Sequence, residues 1–279
     1  MKILATYNIK GGVGKTATAV NLSYLAARDG YRVLLWDLDP QGAASYLFRI
    51  KPRVKGGGQA LIRGTKAIDA AIKGTDFEGL DLLPADFTYR SLDLLLDAAR
   101  RPQQRLAKLL APLRAEYDLI VLDCPPSISL LSESVLGAAD LLLVPLIPTT
   151  LSVRTLDQLT GFMARSNGHR PDVLAFFSMI DRRKSLHTQI ARDLPAERDE
   201  FAATAIPSLS VIEQMSVRRA PVAAFAPRSL AARRYALLWQ EARHRAGLPA
   251  PVGSAPVGMS SGWQAGRPAR LPAAARPRH

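Results

Sequence analysis

A doubly wound, mostly parallel α/β sheet with helices on both faces is the fold class that this 279-residue sequence predicts. Short apolar runs of strand length alternate with longer amphipathic segments along most of the chain. A glycine-rich turn follows the first run, and two later runs lead into Asp37 and Asp123. Because ligands of open parallel sheets lie at the carboxyl ends of the strands, we expect this turn and these carboxylates to meet at one edge.

The strands and helices are expected where these runs and segments lie. The predicted strands span residues 3–7, 32–36, 80–83, 117–123, 141–144 and 173–180. The predicted helices span residues 16–29, 67–73, 89–99, 104–115, 151–166 and 230–246. In the last helix, Leu237, Leu238 and Trp239 are expected to dock on the domain. Residues 49–66 are basic and interrupted by glycines, which predicts a mobile, solvated loop that remains a candidate DNA contact.

Length and composition predict one large domain, residues 1–246, and a disordered basic tail, residues 247–279. No apolar run is long enough to span a bilayer and no signal-peptide pattern begins the chain, so a cytoplasmic location is expected. The single cysteine, Cys124, excludes an internal disulfide framework and argues against an iron–sulfur enzyme. Prolines throughout the tail prevent a basic amphipathic membrane helix, so no membrane partner is expected.

Positive charge is in clear excess. Lysine and arginine number 37 against 24 acidic residues, and the formal net charge is +13. This excess favours a polyanionic partner such as DNA, although an arginine-rich composition alone could produce it. Clustering of the charges, rather than their total, decides between these two interpretations.

A phosphate-binding turn is predicted at residues 10–16, with the sequence Lys-Gly-Gly-Val-Gly-Lys-Thr. The glycines let backbone N–H groups turn towards an anion, and the following helix adds the positive end of its dipole. Lys15 is placed to reach the outer phosphates, and the Thr16 hydroxyl to bind Mg²⁺. A glycine-rich turn without a ligand is the alternative, but its position between strand and helix favours the phosphate site.

The turn resembles the deviant Walker A motif of the ParA/MinD family of dimerising ATPases, because Ile9 stands where the strict motif requires glycine and Lys10 adds a second lysine. The resemblance implies a P-loop NTPase fold with ATP and Mg²⁺ as cofactors. It implies that Lys10 reaches the nucleotide of a partner protomer. The nucleotide contacts that it implies here are Gly11, Gly12, Val13, Gly14, Lys15, Thr16 and Ala17.

Two further segments resemble the switch regions of this family. Residues 37–42 read Asp-Leu-Asp-Pro-Gln-Gly, where the resemblance gives Asp37 a place in the magnesium shell and Asp39 the role of positioning the attacking water. Capping of a turn is the alternative role for Asp39. The strand that ends at Asp123 resembles a Walker B strand, whose carboxylate holds Mg²⁺ through a water. The expected metal ligands are therefore Thr16, Asp37 and Asp123.

The sequence signals for the adenine and DNA contacts are weaker than those for the phosphate and magnesium site. By resemblance, Met179 and Pro207 flank the adenine base. Where ParA proteins commonly read P-R-N-V-R, this chain has Pro-Ser-Leu-Ser-Val at residues 207–211 and so lacks the usual arginine. The expected basic contacts are Arg182, Arg183, Lys184, Arg218 and Arg219.

The resemblance implies an ATPase that dimerises on binding ATP, binds DNA nonspecifically in that state and releases it after hydrolysis. Such a protein is nucleoid-associated and positions a plasmid, chromosome or protein cargo, helped by a centromere-binding or adaptor protein that stimulates hydrolysis. Two alternatives remain open: a metabolic P-loop enzyme such as a dethiobiotin-synthetase-like ligase, and a nucleotide-binding adaptor without turnover. DNA-dependent turnover favours the first interpretation, and turnover that requires a small molecule favours the ligase.

Overall fold

The computed structural model describes residues 1–63, 68–98, 101–165 and 168–250. All but residues 247–250 of the predicted tail lie outside these ranges. Within them, seven strands form one sheet in the order β3-β4-β2-β5-β1-β6-β7. All neighbours are parallel except the β3–β4 pair. The strands are β1 (Lys2–Thr6), β2 (Val33–Asp37), β3 (Lys73–Gly74), β4 (Leu80–Leu83), β5 (Leu119–Asp123), β6 (Leu141–Leu146) and β7 (Asp172–Phe177).

Helices connect the strands and cover both faces of the sheet. The first six are α1 (Lys15–Arg28), α2 (Ala43–Leu47), α3 (Gly57–Arg63), α4 (Leu92–Asp97), α5 (Arg105–Leu110) and α6 (Leu130–Ala138). The others in the described ranges are α7 (Thr150–Arg165), α8 (Ser185–Glu197), α9 (Ser210–Glu213), α10 (Met215–Arg218), α11 (Val222–Phe225) and α12 (Leu230–Arg245). No helix in the described part of the chain is both long and apolar enough to cross a membrane.

Burial on both faces explains why the central strands read as continuous apolar runs. Every residue of β2, β5 and β6 is buried, as is usual for parallel strands covered by helices. Alternate side chains enter two separate cores: Leu4 of β1 joins the core beneath α1 and α12, whereas Ile3 and Ala5 join the core beneath α4 to α7. The predicted fold class is therefore confirmed.

Two predictions about residues 49–73 were wrong, judged on the described residues 49–63 and 68–73. In place of the helix predicted over residues 67–73, the described part has one 3₁₀ turn, Asp69–Ala71, followed by the edge strand β3. The described part of the loop predicted over residues 49–66 contains α3, and a Cβ added at Gly58 would lie 2.8 Å from Leu92 and 2.9 Å from Tyr89. The glycine thus permits close helix packing instead of marking a flexible segment.

The last helix, α12, closes the core above α1. Leu238 and Trp239 are buried, and the Trp239 indole N–H donates a 2.7 Å hydrogen bond to Asp29 at the end of α1. Leu237, which was expected to dock with them, is 40% exposed. Helical periodicity explains the difference, because adjacent residues on a helix point about 100° apart.

We expect Leu238→Ala to lower the free energy of unfolding by about 2–5 kcal/mol, because it empties a fully buried leucine site in the core. The matched control is Leu237→Ala on the same helix, for which we expect a change within about 0.5 kcal/mol. Urea denaturation of both variants measures the difference. Equal destabilisation by the two substitutions would contradict this packing of α12.

Candidate functional site

The glycine-rich loop between β1 and α1 has a backbone that only glycine adopts easily. Gly12 and Gly14 have φ angles of 71° and 93°, in the left-handed region. Asn8 anchors the start of the loop, since its side-chain oxygen accepts a hydrogen bond from the Lys10 N–H at 2.8 Å. The Asn8 amide also donates to the Pro145 carbonyl of β6 at 2.8 Å. The sequence analysis missed Asn8, whose only signal is a polar residue directly after a buried strand.

The N-terminus of α1 is open to an anion. Its N-cap, Gly14, has no side chain with which to cap the first N–H groups of the helix. Lys15 is buried, and its ammonium group donates a 3.1 Å hydrogen bond to the Lys10 carbonyl. Burial lowers the pKa of Lys15. The loop therefore presents backbone donors and a desolvated cation on one side of a cavity.

Two carboxylates stand side by side at the carboxyl edge of the sheet. Asp37 ends β2 and Asp123 ends β5, and the two are register partners across the parallel pair. Both are fully buried. The Thr6 hydroxyl lies 3.3 Å from one oxygen of Asp123, while the Ser45 N–H and hydroxyl donate to one oxygen of Asp37 at 2.7 and 2.8 Å. The second oxygen of each carboxylate is also buried, and no group among the described residues donates a hydrogen bond to it.

This pairing disfavours negative charge on both groups. Burial raises the pKa of Asp37 to about 6, against the lowering effect of its Ser45 hydrogen bonds. Burial raises the pKa of Asp123 well above its usual value, and the neighbouring Asp37 raises it further. Two desolvated carboxylates with unsatisfied oxygens would be stabilised by a cation between them and the phosphate-binding loop.

The donor set fits Mg²⁺. Thr16, at the start of α1, lines the cavity and offers a hydroxyl. Asp37 and Asp123 are not among the described residues that line the cavity, and their buried carboxylate oxygens are the other candidate ligands. The described residues contain no group of three or more His, Cys, Asp or Glu side chains arranged for a metal. Mg²⁺ in nucleotide sites is usually held by one or two carboxylates together with waters and substrate phosphates, so such a group is not required.

The cavity has a volume of about 350 Å³ and joins the predicted phosphate and adenine residues. Its lining includes Gly11, Gly12, Gly14, Lys15, Thr16, Ala17, Asp39, Met179 and Pro207 from the predicted set. Val13 is buried beneath the loop instead. Leu209, Ile212, Glu213 and Tyr235 also line the cavity and were not predicted. Their place at the cavity depends on the packing of segments distant in sequence, which no local motif marks.

Asp39 faces the cavity and also orders its own turn. Its carboxylate accepts a 2.9 Å hydrogen bond from the Gln41 N–H, and its carbonyl accepts one from the Gly42 N–H at 2.9 Å. Asp39 therefore both caps its turn and lines the cavity, so its two alternative roles are compatible. This turn leads directly into α2.

Two segments meet at the far end of the cavity. Ile180 forms a parallel bridge with Pro207, and the Ser208 N–H donates to the Ile180 carbonyl at 2.9 Å. Met179 is held with a φ of 55° and is 42% exposed. Met179 and Pro207 thus lie on one wall, where the sequence analysis expected the base.

The predicted DNA contacts form two separate groups. Arg182, Arg183 and Lys184 follow β7, and Arg183 pairs with Asp181 at 2.9 Å. Arg218 and Arg219 lie against α2, which packs on β2. Four strand spacings separate β7 from β2, or roughly 19 Å. The two basic groups therefore lie beside different strands of the sheet.

Comparisons with known proteins agree with this geometry. A family model described as an AAA domain matches residues 1–172. The chromosome partitioning protein ParA of Caulobacter vibrioides is 37% identical over 204 residues, which cover 70% of this chain and 76% of that protein. The sporulation initiation inhibitor protein Soj of Bacillus subtilis is 32% identical over 246 residues, covering 86% of this chain and 97% of that protein.

Among solved structures, a cobyrinic acid a,c-diamide synthase from Mycobacterium smegmatis with a bound ATP analogue and magnesium is similar. Its TM-score is 0.71 at 26% identity, covering 88% of this chain and 95% of that one. This chain shares the fold of that enzyme, but its sequence is more similar to the Caulobacter and Bacillus proteins, at 37% and 32% identity. The family match, these identities and the deviant Walker A loop together show that the chain belongs to the ParA/MinD-type family of P-loop ATPases.

Proposed function

We propose that this chain is a partitioning ATPase that dimerises on binding ATP and Mg²⁺, binds DNA nonspecifically in that state, and so positions a plasmid, chromosome or protein cargo. The observation that carries the proposal is the pair of buried carboxylates, Asp37 and Asp123, whose unsatisfied oxygens lie beside a phosphate-binding loop. The chromosome partitioning role named for the Caulobacter relative supports it.

Each of the predicted site residues has its own role in phosphoryl transfer. Thr16, Asp37 and Asp123 would hold Mg²⁺, which when bound neutralises phosphate charge. The backbone N–H groups of residues 11–17 and the Lys15 ammonium bind the phosphates, and Met179 and Pro207 border the base. Asp39 orients the attacking water, because its carboxylate stands at the cavity and is already fixed by the Gln41 N–H.

Lys10 completes the site of a second protomer. Its backbone is fixed through Asn8, but the residue is exposed, unlike the buried Lys15 five positions later. A cation on a rigid loop, directed away from its own core, suits a contact with a neighbouring triphosphate. Two ATP-bound protomers would then close face to face, each neutralising charge on the other.

DNA is the polyanion that the net charge of +13 favours. The two basic groups near β7 and α2 would each contribute, and dimerisation doubles both on one assembly. The proposed location is cytoplasmic and nucleoid-associated. A centromere-binding or adaptor protein is the proposed partner that stimulates hydrolysis.

A metabolic ligase is the second candidate, because the similar solved structure is named as a diamide synthase. Such an enzyme requires a small carboxylic substrate beside the γ-phosphate. The higher identity to partitioning proteins and the basic charge favour the first proposal. ATP turnover that depends on a small carboxylate and is unaffected by DNA would favour the ligase.

Lys15→Ala should abolish measurable binding of ATP, because it removes the desolvated cation that meets the outer phosphates. Isothermal titration calorimetry with ATPγS and Mg²⁺ tests this. Lys2→Ala is the control, since Lys2 pairs with Asp140 away from the cavity and should leave affinity unchanged. Undiminished affinity in Lys15→Ala would remove the phosphate-site assignment.

Lys10→Ala should retain ATPγS binding but lose the ATP-dependent dimer, because its proposed contact lies across the interface. Sedimentation velocity with ATPγS measures the dimer. Asp39→Ala is the matched comparison: it should dimerise like the unaltered protein but turn over ATP about 10²-fold more slowly, because it loses only the water-orienting group. A Lys10→Ala protein that dimerises and hydrolyses normally contradicts the interface role.

DNA binding should be stronger and steeper in salt with ATPγS than with ADP, because a dimer doubles the phosphate contacts. The slope of log affinity against log salt concentration is roughly −0.9 for each phosphate neutralised, so twice as many contacts make the slope twice as steep. Filter binding across a salt series tests this on a chain ending at Gly247, which removes background from the basic tail. Arg218→Ala should weaken binding, whereas Arg114→Ala, an exposed arginine before β5, should not. Equal binding with ADP and ATPγS would refute the nucleotide switch.

A further inference from the structure

Helix α2 is attached directly to a carboxylate of the magnesium site. Ser45, in its middle, donates both its N–H and its hydroxyl to Asp37. The same hydroxyl accepts a 2.9 Å hydrogen bond from the Ala85 N–H. The turn that contains Asp39 leads into the helix at Gly42, whose φ of 67° sets the entry. A movement of α2 therefore changes the surroundings of both aspartates.

The other end of α2 is held by an arginine from a distant part of the chain. The Arg219 Nε–H donates a 2.9 Å hydrogen bond to the Tyr46 carbonyl. The Arg219 guanidinium also stacks on the Tyr46 ring, 4.5 Å from its centre. Tyr46 is 52% exposed, so this pair lies at the surface, where a polyanion could reach it.

A second arginine ties the same two segments together. Arg49 pairs with Asp76 at 2.8 Å and donates to the Arg218 carbonyl at 3.1 Å. Arg49 and Arg219 have φ angles of 61° and 50°, a left-handed conformation that is unfavourable for arginine. Backbone strain of this kind persists only where surrounding contacts hold it, which is consistent with a constrained junction.

The backbone that carries Arg219 is also fixed to α1. Asn21 of α1 accepts a 2.8 Å hydrogen bond from the Val222 N–H, and its amide lies 3.3 Å from the Met215 sulfur. The Arg219 N–H itself donates to the Met215 carbonyl at 2.7 Å. The long arginine side chain is thus the part of this segment that is able to change partner while the backbone stays in place.

We propose that Arg219 is a positioning residue that couples DNA binding to the magnesium site through Tyr46 and α2. This inference rests on the proposed function, because it takes DNA as the ligand. A DNA phosphate competes with Tyr46 for the guanidinium, and charge-assisted hydrogen bonds to phosphate are stronger than one to a neutral carbonyl. When Arg219 leaves Tyr46, the C-terminal end of α2 is released, and the Asp39 turn gains the freedom to align water. DNA then raises turnover.

The decisive variant is Tyr46→Ala, because it removes the stacking surface and leaves every cation in place. Turnover of saturating ATP is measured with and without a saturating random-sequence duplex, at a protein concentration where ultracentrifugation shows only dimer. We expect DNA to raise turnover of the unaltered protein about two- to fivefold, the factor that corresponds to loss of one exposed cation–π contact. Tyr46→Ala should turn over faster than the unaltered protein without DNA and should respond less to DNA while it still binds it, because the ring contact is lost and only the Arg219 hydrogen bond to the backbone carbonyl of residue 46 remains.

Two controls separate this coupling from general damage. Tyr46→Phe keeps the ring and should respond to DNA like the unaltered protein. Phe87→Ala removes another surface aromatic under an arginine, Arg90, whose guanidinium lies 4.1 Å from the ring centre, and it should also respond normally. Arg219→Ala should lose the response and part of the DNA affinity together.

Each outcome decides between the two proposals. A normal DNA response in Tyr46→Ala overturns the coupling and leaves the proposed function intact. The same holds if the unaltered protein binds DNA only with ATP but its turnover ignores saturating DNA. If the unaltered protein shows no ATP-dependent DNA binding, the proposed function fails and the coupling fails with it.

Discussion

The burial of Asp37 and Asp123 beside each other is the constraint on which the rest of the site depends. An unpaired buried charge costs several kcal/mol, and here two carboxylates share one dry edge of the sheet. The parallel register of β2 and β5 puts them there, and the loop after β1 places Lys15 and Thr16 opposite. Two neighbouring carboxylates are unfavourable without a cation, so Mg²⁺ and its nucleotide stabilise the bound protein strongly relative to the unbound protein. That stabilisation is the source of energy for the dimer proposed above.

Buried polar side chains transmit this constraint to the surrounding loops. Asn8 ties the phosphate-binding loop to β6, and Asn21 ties the C-terminal segment to α1. Ser45 ties α2 to Asp37. Each satisfies backbone or carboxylate groups that would be costly to bury unpaired. The coupling proposed above therefore needs only a short chain of contacts, from Arg219 to Tyr46 and from Ser45 of the same helix to Asp37.

The sheet and the position of the glycine-rich loop at the cavity were predictable because their signals are local. Apolar runs gave the central strands, and the glycine loop with its two lysines placed Lys15 and Thr16 at the cavity. The prediction failed where tertiary packing overrides local composition. Gly58 belongs to a helix that packs closely on Tyr89. The error at Leu237 has another cause, because helical periodicity alone turns it away from the buried Leu238. Asn8 and Ser45 were missed because their importance lies in hydrogen bonds to residues distant in sequence. The link between Arg219 and Tyr46 spans 173 positions and leaves no pattern in the chain.

The central claim is that the two buried carboxylates form half of a magnesium–nucleotide site. Calorimetric titration of ADP in Mg²⁺ and in EDTA, on the unaltered protein and on Asp123→Asn, tests it most directly. The account predicts that Mg²⁺ tightens ADP binding to the unaltered protein at least about tenfold, or roughly 1.4 kcal/mol, and that Asp123→Asn loses most of this gain. ADP affinity that is the same in Mg²⁺ and EDTA, or a full magnesium effect in Asp123→Asn, would contradict it.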